Sequence, residues 1–402
     1  MSSPLSRSLV ALFAGASGLS VANVYYAQPL LDALADDFSI DRAAIGGVVL
    51  ATQIGSALAL LLLVPLGDLL NRRRLMLAQA LSLAVVLIGI SLATSPLALL
   101  SGMLGAGLLG TAMTQGLIAY AASAAGPDER GRVVGAAQSG VFVGLLLARV
   151  LAGGISDLAG WRAVYAGSAT AMLVLAILLW HALPRLPIAS GRLTYPHLLA
   201  SMFELLRTER VLRVRGTLAM LMFAALNIFW SALVLPLSGP PYGYSHTVIG
   251  AFGLVGALGA LAAARAGRWA DRGFGERTTA VALALLIAAW IPLSRMGTSL
   301  WALLFGIVLL DLGAQAIHVT NQSMIFTRRP DAHSRMVGVY MLFYALGSGL
   351  GAMATTSVYA LAGWSGVCLL GAAVSLAALV FWIATLERGT SRVRTTCTLP
   401  GG

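Results

Sequence analysis

The sequence predicts an all-α integral membrane protein of twelve transmembrane helices, built as two parallel six-helix repeats. Composition is the first observation behind this. The chain has 402 residues, 58% hydrophobic and only 10% charged, where a soluble domain carries about 25% charged residues. So few charges cannot cover a water-exposed surface, so lipid must cover much of it. The second observation is that apolar runs of about 20 residues, the length needed to span a bilayer, recur from end to end. The third is an internal repeat at one fixed spacing.

The expected spans are 8–31, 43–66, 75–94, 97–121, 133–156 and 162–183 in the first half. In the second they are 214–237, 246–266, 278–296, 299–322, 336–360 and 365–385. The first run is long enough to span and eleven more follow, which argues against a cleaved signal peptide. Domain boundaries follow as 1–183 for the first half, 184–213 for a linker, 214–385 for the second half and 386–402 for a tail. The linker holds Pro184, Pro187 and Pro196 and an amphipathic stretch, His197 to Leu212, suited to a membrane surface.

Orientation is read from charge. The net charge is +11 and all 26 basic residues are arginine. Of these, 22 fall in one alternating set of segments, including Arg72, Arg73, Arg74, Arg272 and Arg277. The other set holds three, Arg42, Arg162 and Arg295, and Arg149 sits inside a span. That bias puts both termini in the cytoplasm of a multi-pass protein of a bacterial-type inner membrane. It also explains the basic balance without nucleic acid, since the arginines lie between apolar runs and not on one polar face. Cys368 and Cys397 are too few and too far apart for a disulfide framework or a metal site. No phosphate loop, nucleophile–base order or paired catalytic carboxylates stand out, so no enzyme and no cofactor is expected.

The repeat is carried by polar loops. Pro127 to Gly135 matches Pro330 to Gly338 with five identities, and Leu158-Ala159-Gly160-Trp161 matches Leu361-Ala362-Gly363-Trp364 at the same spacing. The spacing also pairs Asp68 with Asp271, Gly110 with Gly313 and Gly144 with Gly347. It covers an even number of spans, so the halves insert with the same orientation about an axis along the membrane normal.

This plan, with a linker between two repeats, resembles the major facilitator superfamily. The stretch Val64 to Arg74 resembles that family's loop signature, keeping Asp68 and the arginine run but not its glycines. Its second copy, Gly267-Arg268-Trp269-Ala270-Asp271-Arg272, is closer to the pattern. Asn23-Val24-Tyr25-Tyr26-Ala27-Gln28-Pro29-Leu30, Gly239-Pro240-Pro241-Tyr242 and Asp311-Leu312-Gly313-Ala314-Gln315 are similar to bacterial permeases described as predicted sugar or drug exporters. The fifth-helix signature of drug/proton antiporters lacks its proline here. The resemblance implies a central cavity lined by spans one, four, seven and ten.

On those spans the substrate-binding candidates are Asn23, Tyr26, Gln28, Thr111, Gln115, Asn227, Trp230, Gln315 and Gln322. Tyr26 and Trp230 would serve equally as interfacial belt aromatics. Asp311, Gln315, His318 and Gln322 fall on one helix face, which suggests a wet cavity in place of lipid. Arg149 and Asp311 are charges deep in spans, each costing about 2.5–3.5 kcal/mol to insert. Two readings of this pair stand side by side: a fixed salt bridge that lets both charges insert, or a proton-coupling site in which Asp311 alternates between a proton and Arg149, with His318 nearby. Asp68, Asp271, Arg72, Arg73 and Arg272 are, by resemblance, a cytoplasmic gate, and the charge bias alone accounts equally for the arginines.

The expected function is therefore secondary active export of a small drug-like or sugar-like molecule by proton antiport and alternating access, in a monomer whose partners are substrate, protons and lipid. A facilitator or proton-coupled importer of the same fold, and a non-transporting membrane sensor, are the alternatives.

Overall fold

A computed structural model describes residues 5–126, 128–184, 194–257, 266, 268–326 and 333–395, without the side chains of Asp68, Ala270, Asp271, Phe326, His333, Ser334 and 387–395. Among the described residues it is helical with no strand. Ten helices there are long and apolar enough to cross a membrane. The last of these, Arg335–Leu386, holds two crossings, and His246–Val255 is the described part of one more, which brings the count to twelve.

The first half contains α1 (Arg7–Tyr25), α2 (Leu31–Phe38), α3 (Gly46–Leu58), α4 (Arg72–Ser91), α5 (Pro96–Ala124), α6 (Arg130–Ala159) and α7 (Trp161–Ala182). Short polar side chains start several of them. Ser6 caps α1, Asn71 caps α4, and Ser95 caps α5 just ahead of Pro96, each accepting from a backbone N–H that would otherwise be orphaned. A helix α8 (Tyr195–Thr208) lies in the linker. The second half follows as α9 (Arg210–Ala232), α10 (Val234–Ser238), α11 (His246–Val255), α12 (Gly275–Ala288), α13 (Leu300–Phe326) and α14 (His333–Thr395).

The start of α1 and the end of the last span lie on one side of the bundle, here called the terminal face. There the Leu5 N–H donates to Glu129 at 3.0 Å. That bond, aided by Arg132, holds the Glu129 carboxyl below its usual range. The opposite side is the far face.

The repeat is visible in the packing. Gly144 sets α6 so close to α1 that a Cβ there would fall on the Gly18 carbonyl, and Gly347 does the same for α14 against the Met220 carbonyl of α9. Small residues permit such close approach where no water drives helices together. On the far face Gly160 ends α6 with φ of 80° and Gly363 turns α14 with φ of 59°, a region costly to any residue with a Cβ. The matching Leu-Ala-Gly-Trp segments thus make matching turns.

The halves meet along two seams on the far face. In one, α6 packs on α11, and a Cβ at Gly153 would strike the His246 carbonyl. In the other, α3 packs on α14, where Thr356 accepts from the Gly46 N–H at 3.2 Å and donates to the Ala43 carbonyl at 3.1 Å. On the terminal face α8 touches both halves. Tyr195 donates to the Leu62 carbonyl of the first half at 2.9 Å. Met202 and Leu205 join an apolar cluster with Leu212, Ile325, Met336 and Tyr340 of the second.

Candidate transport site

A cavity of about 270 Å³ lies between the halves. Its first-half wall includes Tyr25, Thr111, Gln115 and Gln138, and its second-half wall Gln315, His318, Gln322 and Tyr344. Gln138 is near the terminal-face start of α6, and Val337 and Met341 are near the start of α14, so the cavity reaches toward the terminal face. An annexe of about 60 Å³ extends it toward the far face, lined by Tyr25, Arg149, Asn227, Trp230, Asp311 and Tyr344 among others.

The annexe is roofed by a polar chain that crosses four spans. Arg149 donates through Nε and Nη2 to the Gln28 Oε1 at 3.0 and 2.8 Å. The Gln28 amide donates to Asn227 at 3.0 Å, and Asn227 donates to Ser348 at 2.9 Å. Below it, the Tyr25 and Tyr344 hydroxyls bond to each other from α1 and α14. The Arg149 guanidinium also stacks over Trp230 at 4.3 Å and lies 5.6 Å from Tyr25. A buried guanidinium needs such partners, because an unmatched charge away from water is costly.

Asp311 is 8% exposed and Arg149 6%. The two lie at similar depth, because α6 runs to Ala159, three residues beyond the expected end of its span. Each is about 15–17 Å along its helix from the far-face end, at 1.5 Å per residue. They nonetheless line the annexe without joining in an ion pair, since Arg149 bonds to Gln28. Glycines on α11 and just past its end make the room: Gly250 and Gly253 pack against Arg149, and Gly256 against the Asp311 carboxylate.

The expected site residues divide into three groups. Thr111, Gln115, Gln315, His318 and Gln322 line the main cavity, and Asn227, Trp230, Arg149 and Asp311 the annexe. His318 also bonds to the Tyr340 hydroxyl at 2.9 Å. Gln28 holds Arg149 as part of the roof. Asn23 and Tyr26 turn the other way, into the first half: Asn23 accepts from Ser168 at 2.8 Å and the Tyr26 ring meets Tyr165 edge-on. On the terminal face Arg72 donates to the Gly67 carbonyl at 2.8 Å and to Ser123, and Arg73 donates to the Trp180 carbonyl and stacks on its ring. Both tie α4 to neighbours within the first half. Arg272 is exposed, and the side chains of Asp68 and Asp271 lie outside the described residues.

Sequence reasoning did not single out the aromatic lining, Tyr25, Phe142, Phe223 and Tyr344. It also passed over a network around a buried arginine in the second half. Arg215, 3% exposed, pairs with Glu276 and donates to Thr279 at 2.9 Å, and Trp382 donates to the same Glu276 at 2.8 Å.

A bundle of twelve spans in two repeats, with a polar cavity between them reaching one face, defines a membrane transporter that moves a solute between its halves. Comparison gives the family. The sequence pattern of the Major Facilitator Superfamily matches residues 13–272 and 217–397, and the chain belongs to that superfamily. It is 42% identical over 380 residues to the uncharacterized transporter YgaY of Escherichia coli, covering 94% of this chain and 95% of that one. It is 32% identical over 391 residues to the probable transporter SCO4007 of Streptomyces coelicolor, covering 95% and 88%. Among solved structures it is similar to a bacterial homolog of the human lysosomal transporter Spinster, inward-facing and unoccupied (TM-score 0.72, 16% identity, 94% of each chain). It is also similar to the nucleoside transporter NupG (TM-score 0.71, 15% identity, 94% of this chain and 99% of that one). With bacterial relatives this close, a multi-span transporter is an inner-membrane protein that takes a small-molecule substrate.

Proposed function

We propose that this transporter exports a small organic molecule in exchange for protons, its two halves rocking around the central cavity with the terminal face in the cytoplasm. The carrying observation is Asp311. It is a buried carboxyl on the cavity wall, at the depth of Arg149, while Arg149 is held by Gln28. A carboxyl in that position is satisfied by a proton, by the Trp230 indole N–H beside it or by the nearby guanidinium. When the halves move, the bond from Arg149 to Gln28 is the one that must yield for Arg149 to reach Asp311, and the proton then leaves.

The arginine bias supports a cytoplasmic terminal face, which makes the described state open inward and closed outward. Domain boundaries at 183, 213 and 385 fit this motion, with the linker bridging two moving bodies. The cavity's amides, hydroxyls and aromatic rings suit a solute that is partly apolar and partly hydrogen-bonding. The resemblance to exporters favours outward movement of that solute.

The test is substrate-triggered proton movement in everted membrane vesicles carrying a pH-sensitive dye, over a panel of drugs, sugars and nucleosides. Wild type is expected to give a proton flux for at least one compound, and Asp311→Asn none with the same compound. Full proton-coupled flux in Asp311→Asn would overturn the assignment.

A further inference from the structure

At the far face a histidine of the second half sits between two carboxylates of the first. His246, the first residue of α11, places Nε2 3.0 Å from Asp32 of α2 and Nδ1 3.1 Å from Asp157 near the end of α6. Carboxylates at both distances are acceptors, and a neutral imidazole has only one N–H. Both contacts are satisfied together only when the ring carries both protons. We propose that His246 is a proton-binding latch of the outer gate: its imidazolium holds Asp32 and Asp157 and so keeps the halves closed at the far face while the cavity is open at the terminal face.

The arrangement separates two parts of the latch. Asp157 is held largely by backbone, accepting from the His246 N–H at 3.0 Å, the Thr247 N–H at 2.8 Å and the Thr247 hydroxyl. These bonds do not depend on the ring's protons. Asp32 has the ring as its one bond to the second half, its other bond being local, from the Ala33 N–H at 2.8 Å. Loss of the Nε2 proton therefore releases α2 and leaves α6 docked, while loss of the Nδ1 proton sets a ring lone pair against Asp157 and weakens the seam there. The charged groups facing His246 are Asp32 from α2 and Asp157 from α6. Among the described residues α10 and the rest of α11 carry no titratable side chain, and Asp37 on α2 is engaged with Arg162 and Trp161. The matching seam has no such device: at the repeat spacing Ala43 stands for His246 and Ala360 for Asp157. The latch is thus one-sided, and the far face opens with a pH-dependent bias on the α2 side.

The experiment is a spin-label distance measurement on the full chain in lipid nanodiscs, with labels at the exposed far-face positions Arg42 and Thr298 and with Cys368 and Cys397 replaced by Ser. It needs neither substrate nor flux, so its failure is distinct from failure of the antiport reading. Between pH 5 and pH 9 the wild-type background is expected to shift from one short distance toward a longer one. The separated population should grow about tenfold, the scale set by loss of one charge-assisted hydrogen bond. In His246→Gln and, separately, in Asp32→Asn, whose fold is independent of the first variant, the pH response of the distance distribution should be clearly reduced, any remainder being that of Asp311. An unchanged distribution in wild type, or an undiminished pH response in either folded variant, would overturn the latch.

Discussion

The two halves share their packing and differ in their chemistry. Gly144 and Gly347 bring equivalent helix pairs together, and Gly160 and Gly363 make equivalent turns. Yet the partner of Asp311 at the repeat spacing is Leu108, the partner of Arg215 is Leu12, and the partner of Arg149 is Ala352. Within the spans, the glycines where backbone meets backbone remain alike, while the buried charges Asp311, Arg215 and Arg149 have apolar partners. A symmetric frame can rock, and in the proposed exchange the asymmetric charges would give that rocking its direction and coupling.

Making the halves more alike is the sharpest way to break this comparison. The largest effect is expected from Asp311→Leu, which copies Leu108: substrate-driven proton flux should fall to the level of vesicles without transporter, with normal insertion. Next is Arg215→Leu, which copies Leu12 and removes the bonds from Arg215 to Glu276 and Thr279. A loss of about 1–2 kcal/mol in stability is expected from broken hydrogen bonds to a charge whose acidic partner is half exposed, read as lowered thermal stability in detergent. A wild-type melting point there would mean the network is ornamental. Gly144→Ala and Gly347→Ala test the shared frame, each costing about 1–3 kcal/mol through overpacking against a carbonyl. Clearly unequal losses would show that the halves do not pack alike. The smallest effect is expected from Thr356→Val in the uncharged seam, about 1 kcal/mol for its hydrogen bonds and no change in pH response.

Much of the frame was legible because it rests on local rules. Length and apolarity marked the spans, and polar loops at one spacing marked the repeat. The stripe of Gln315, His318 and Gln322 lines the cavity on the face that helical spacing assigned to it. What was not legible depends on neighbours. Adjacent helical residues point about 100° apart, and nothing within α1 tells whether Tyr25 or Tyr26 faces the cavity. The outcome is set by Tyr165 and Ser168, which lie on α7 and receive Tyr26 and Asn23. Arg149 announced a buried charge but not its partner, since Gln28 is 121 residues away. Nothing in the sequence marks the glycines of α11 as neighbours of Arg149 and Asp311, a relation that emerges only when three helices meet.

The stacking of Arg149 on Trp230 has an optical consequence. Indole emission responds to the electric field across its rings, and here a cation sits 4.3 Å above one of them. If Arg149 leaves that seat for Asp311, the field across the indole changes sharply. The chain has eight tryptophans, so a version keeping Trp230 alone would make the transporter its own gauge, its colour following the position of one guanidinium through the cycle.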